Sequence, residues 1–167
     1  MDLSIKSILL LGAVLLTGLS AGLFYAWSVS VIPGTQKVSD EVYLQTMQSI
    51  NRAILNPAFF VIFFGSAVLL GMASIYEFHA SKLAFSLLLV SFISYLIGTI
   101  GVTGMGNVPL NDQLDALDLL RMDQSTLATF RTFYETKWNK LHTIRTMFAV
   151  LSFLLALIGL FISSKQW

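Results

Sequence analysis

Four long apolar runs, Ile8 to Val31, Ala58 to Tyr76, Lys82 to Val102 and Thr146 to Ile162, fill most of this chain and dictate its architecture. Each comes near the ~20 residues that an α-helix needs to cross ~30 Å of hydrocarbon. Successive crossings alternate direction, so the two long connections, Ile32 to Pro57 (32–57) and Thr103 to Arg145 (103–145), emerge on the same side and cap one mouth of the bundle. The connection around Glu77 to Ser81 is so short that the second and third spans must form an antiparallel hairpin. The expected fold is all-α: a four-helix antiparallel transmembrane bundle, with a peripheral helix and a helical extension of the last span closing one end. Residues 1–167 read as a single integral membrane domain with spans at 8–31, 58–76, 82–102 and 146–162.

Composition agrees, since 56% of the residues are hydrophobic and only 11% charged, a balance typical of bilayer proteins. The interiors of the first, second and fourth runs carry no charge, and the third begins at Lys82, which can snorkel to the headgroups. A net charge of +1 with no basic cluster gives no support to nucleic-acid binding. The absence of cysteine excludes disulfides, zinc thiolate sites, iron–sulfur ligation and thiol nucleophiles together. Lys6 followed by Ile8 to Leu16 imitates a secretory signal, but a cut after Ala21 would put Leu19, which is not small, three positions before it, so a retained span is expected. Lys6, Lys82 and Lys165 lie close to span ends, which favours a cytoplasmic location for both termini.

Small residues at four-residue spacing, Gly18 with Gly22, Ala67 with Gly71 and Ser94 with Gly98, point to close helix packing. Pro33-Gly34 is expected to end the first helix. A peripheral helix reads from an Asp40 N-cap to Asn56, with Pro57 opening the next span. On it Met47, Ile50, Asn51 and Ile54 share one face, so Asn51 needs a polar partner on an apolar surface. Thr103 to Asp112, rich in glycine and asparagine around Pro109, reads as a loop. From about Ser125 nothing interrupts a single long helix before Gly159.

On that last helix Trp138, His142 and Arg145, spaced by four and three, face one way while Lys137 and Lys140 face another. Arg145 borders the hydrocarbon and must pair inward, meet a substrate or oxyanion, or snorkel to headgroups. His142 is either a satisfied structural group or a functional one, and Trp138 either an interfacial anchor or a wall for an aromatic ligand. Asn107 and Asn111 flank Pro109 and either cap their own backbone or offer amides to a ligand. His79 belongs to the opposite surface, so one protomer cannot grip a metal or haem with both of its histidines, and no metal ligand is assigned.

At these residues the chain resembles the anthrone oxygenase-like family of small four-span membrane proteins. The matching stretches are Gly22-Leu23-Phe24-Tyr25 with Ser28 to Gly34, Met47 to Asn51, Asn56-Pro57-Ala58-Phe59, Gly106 to Asn111, and Trp138-Asn139 followed by Arg145. The resemblance implies oxidation of an activated aromatic ketone, as in fungal polyketide pathways where anthrones become anthraquinones with dioxygen as co-substrate and no evident metal or flavin. No cofactor is therefore expected. Under that implication His142 is the base, Arg145 and Asn111 stabilise an oxyanion, Trp138 and Tyr25 sandwich the rings, and Asn51, Asn107 and Asn139 complete the substrate contacts. The expected partners are a hydrophobic aromatic small molecule and the lipid bilayer. The alternative function is a non-catalytic membrane binder of a quinone, lipid or other flat hydrophobic ligand. Transport is disfavoured, because no acidic residue interrupts the spans.

Overall fold

The structure is a computed structural model and describes residues Ser4 to Lys165. Four helices in it are long and apolar enough to cross a membrane: Ile5–Thr35, Pro57–Glu77, Lys82–Asp115 and Gln124–Ser164. The described residues contain no strand, and the fold is an all-α bundle. Within it we number α1 (Ile5–Ala26), α2 (Ile32–Thr35), α3 (Asp40–Ala53), α4 (Pro57–Glu77), α5 (Lys82–Ile93), α6 (Val108–Asp115) and α7 (Gln124–Ser164). The packed neighbours are α1 with α4, α4 with α5, α5 with α7 and α7 with α1, which closes a ring of antiparallel helices.

Two expectations about breaks in the chain are corrected. Pro33 does not end the first helix: a π-helical turn over Trp27–Val31 precedes it, and α2 continues the same rod to Thr35. Thr103 to Asp112 is not a loop either. A π-helical stretch over Ser94–Gly101 and another over Thr103–Asn107 lead into α6, so the third helix runs unbroken to Asp115 with Pro109 in the first turn of α6. Both prolines thus follow a change of register, which lets a residue without an N–H enter a helix without leaving the preceding carbonyls stranded. No described glycine has positive φ, so Gly104 and Gly106 are simply helical.

Capping is local and legible. The Asn56 side chain accepts from the Phe59 N–H at 3.0 Å with Pro57 in the first turn of α4, and the peripheral helix stops at Ala53 rather than at Asn56. Its N-cap is Ser39, with Asp40 and Glu41 in the first turn where acidic side chains meet the positive end of the helix dipole. Asp123 caps α7, accepting from the Thr126 N–H at 3.0 Å. At 41 residues α7 is about 60 Å long, roughly twice the hydrocarbon thickness, so its first half stands outside the bilayer.

Burial divides into two clusters. One fills the bundle with Leu10, Phe24, Phe63, Leu70, Leu88 and Tyr95 among small residues. The other sits under the cap, where Tyr43, Leu44 and Met47 of α3 meet Leu110 and Leu114 of α6 and Tyr134 and Trp138 of α7. Glycines serve the packing by admitting aromatic rings. A Cβ on Gly98 would come within 2.0 Å of the Phe148 ring, and one on Gly18 within 2.9 Å of Phe153, whereas Gly22 faces open space.

Candidate functional site

Where the two clusters meet, a cavity of about 180 Å³ opens between the cap and the bundle. Its apolar walls combine the aromatic Phe24, Trp27, Phe59 and Trp138 with aliphatic side chains such as Leu23 and Ile50, and Asn51, Thr103, Asn111 and Arg145 are among its polar groups. At the rim Arg52 of α3 meets Asp115 of α6 at 2.6 Å, and Asp112 lines the cavity without an ion pair among the described residues.

Arg145 is the most unusual group here. It is only 8% exposed, yet it makes no salt bridge among the described residues. Its Nε and Nη2 both donate to His142 Nδ1, at 3.2 and 3.1 Å, and Nη1 reaches Thr103 Oγ1 at 3.4 Å. The guanidinium carbon lies 4.6 Å from the Phe24 ring centroid and 5.0 Å from that of Trp138, so two π faces supply part of the compensation that a carboxylate would otherwise give. Five donors with so few acceptors leave N–H groups for something in the cavity.

His142 stands directly behind this arginine. Its ring is fully buried and stacks on Trp138 at 5.1 Å and 8°. A guanidinium can only donate, so Nδ1 must be the unprotonated acceptor; Nε2 then carries the hydrogen and donates to the Phe24 carbonyl at 3.1 Å, with Ser28 Oγ 2.9 Å away. Both nitrogens are engaged by protein, and His142 is absent from the cavity wall. Its partner Phe24 lies in the turn just before the π-helical segment, and π-helical turns recur at functional sites.

The asparagines divide. Asn107 and Asn111, four apart on a continuous helix, both face Trp138. Asn111 Oδ1 accepts from Trp138 Nε1 at 2.9 Å and from the Tyr134 hydroxyl at 3.0 Å, while Asn51 Nδ2 donates to the Tyr134 hydroxyl at 3.1 Å. Asn51 thereby has the polar partner that its apolar face demanded. Asn107 is fully buried, donates to the Trp138 carbonyl at 3.3 Å and does not line the cavity. Asn139 is partly exposed and also lies off the wall.

Of the residues singled out in the sequence, Asn51, Asn111, Trp138 and Arg145 therefore share one cavity, with His142 immediately behind. Tyr25 does not join them. It is 59% exposed, and the ring set against Trp138 is Trp27, at 5.8 Å. Two residues along a helix turn the side chain by about 200°, so the pair cannot share a face. Helical phase held the missed signal: Phe24, Trp27 and Ser28 are spaced three and four apart, and Tyr134 lies four before Trp138 on the face already identified. Among the described residues no group of three histidine, aspartate or glutamate side chains is placed to hold a metal ion.

Relatives complete the picture. A family model described as anthrone oxygenase matches residues 53–155, a stretch that includes Phe59, Thr103, Asn111, Trp138 and Arg145. No curated protein and no solved structure matches the chain. The match spans more than half of the sequence, and the chain belongs to the anthrone oxygenase family.

Proposed function

We propose that this multi-pass membrane protein is an oxygenase-like enzyme that oxidises an activated aromatic ketone of the anthrone type, with dioxygen as co-substrate and no further cofactor. The observation that carries the reading is Arg145: a buried cation with no carboxylate partner among the described residues, lining a cavity of aromatic and aliphatic walls. Burying an unpaired charge is costly unless a ligand compensates it. An anthrone supplies that compensation when its ring methylene loses a proton, because the negative charge moves to the ketone oxygen, where Arg145 and the Asn111 amide can donate. Of the two cavity-lining carboxylates, Asp115 is paired with Arg52, and Asp112, with no ion pair among the described residues, is the one that can take the proton. His142, with both nitrogens occupied, holds the guanidinium rather than acting as the base.

The electron-rich ring carbon then forms a bond to dioxygen, the reduced oxygen is protonated to a hydroperoxide, and loss of water leaves a second carbonyl. One methylene and one dioxygen thus give one carbonyl and one water. Trp27, Phe59 and Trp138 keep the flat rings in place and water out. Our reading also keeps both termini in the cytoplasm, which puts the cavity mouth on the other side.

A second reading, a non-catalytic binder of a quinone, lipid or other flat hydrophobic ligand, is favoured by the position of the carboxylates at the exposed rim rather than deep in the cavity. Oxygen consumption separates the two. Purified protein in micelles should accelerate oxygen uptake by an anthrone above its spontaneous rate, and Arg145→Met should abolish the acceleration; binding without uptake would leave only the binder.

A further inference from the structure

The hydrogen bonds around Tyr134 set the polarity of the cavity wall. The Trp138 indole N–H can only donate, so it faces the carbonyl end of the Asn111 amide, at 2.9 Å. The Tyr134 hydroxyl gives its single proton to that same oxygen at 3.0 Å and can thereafter only accept. Asn51 must consequently present its Nδ2 to Tyr134, as it does at 3.1 Å. Two atoms are left over, Asn111 Nδ2 and Asn51 Oδ1. Neither has a protein partner among the described residues, neither is a sealed orphan, and both belong to residues lining the cavity.

From this we infer that Asn51 is a specificity-determining residue that selects ligands bearing a free hydroxyl beside an acceptor oxygen, and that Tyr134 and Trp138 are positioning residues that impose the selection. The hydroxyl donates to Asn51 Oδ1, and the neighbouring oxygen accepts from Asn111 Nδ2 and Arg145. Tyr134 is fully buried, wedged against Tyr43 and Phe130, so it acts only through the two amides. An O-methyl ether at the same position cannot donate and leaves Asn51 Oδ1 without a partner in an apolar pocket.

The inference rests on the reading of the ligand as an aromatic ketone, so its test measures binding without turnover. A hydroxylated anthrone and its O-methyl ether are titrated into the micelle-embedded protein under nitrogen. The hydroxyl compound should bind at least about tenfold more tightly. In Asn51→Leu the ratio should fall to near one, with the ether bound as in the parent. Tyr134→Phe should also collapse the ratio, because the Asn51 amide is then free to turn its NH2 group towards the cavity. Equal affinities in the parent, or a ratio unchanged in Asn51→Leu, overturn the inference even if oxygen uptake is intact. Preserved discrimination without oxygen uptake upholds it and removes the oxidation reading alone. If neither compound binds, both fall. Should Tyr134→Phe not fold, Asn51→Leu decides the matter.

Discussion

The two ends of the bundle bury charge in opposite ways. At the end away from the cap, Glu77 is fully buried with Lys6 Nζ 2.9 Å from its Oε1 and the Ser163 hydroxyl donating to the same oxygen at 2.7 Å. Helices α1, α4 and α7 are thereby tied together by a charge that has its counterion. At the capped end Arg145 is almost as deeply buried and has no counterion among the described residues, only an imidazole, a threonine hydroxyl and two aromatic faces. The paired charge makes a structural clamp, whereas the unpaired one makes a place where a ligand oxygen is worth more than water.

Breaking the clamp should have the largest effect on stability. Lys6→Met leaves Glu77 buried without its cation, and thermal unfolding in micelles should show a loss of about 3–5 kcal/mol, with the oxygen uptake of the surviving fold unchanged. Pairing it with Glu77→Met should recover most of the loss; a double variant no better than the single would mean that the clamp is not a pair. Arg145→Met should do the reverse. Oxygen uptake should fall by about 10²–10³-fold while the unfolding midpoint stays level or rises, since no partner is orphaned except His142.

A smaller effect is expected from His142→Phe, which removes the acceptor that aims the guanidinium and should lower turnover by about 10–100-fold. His142→Gln, whose amide oxygen can receive the same N–H groups, should restore part of it. A full loss in both variants would return His142 to the role of base. The smallest effect belongs to a site touching neither end. Hydrogen bonds from Ser125 and Thr126 hold the Asp123 carboxyl well below the usual carboxylate range. A carboxyl depressed in the folded state stabilises above its unfolded value, about 3.9, and that contribution is lost as pH falls below it. Asp123→Ala should lower the midpoint slightly at neutral pH and not at all in strong acid, with oxygen uptake unaffected.

Much of the fold and part of the site could be read from residue order, because the signals are local. Runs of apolar residues set the four crossings, an even number of crossings set which connections share a mouth, and 3.6-residue phase put Trp138, His142 and Arg145 on one face and Asn51 on an apolar one. Those are properties of a helix before it packs. The cap could be located in the same way, though not its continuity. Proline and glycine at 33–34 and 104–109 carry breaker signals in any local reading, and it is the π-helical turns before Pro33 and Pro109, the second of them packed against α7, that keep both helices intact.

Which groups meet was decided by tertiary structure alone. Glu77 ends an apolar run and looks like a surface residue until Lys6 and Ser163, from the two ends of the chain, close over it. Trp27 rather than Tyr25 faces Trp138, because packing against α7 selects the rotational phase of α1 that an almost uniformly apolar helix leaves open. The polarity of Asn51 and Asn111 likewise exists only once a tyrosine and an indole from another helix stand between them. Local order specifies where helices run, while a hydrogen bond between residues 83 positions apart depends on how those helices rotate and dock.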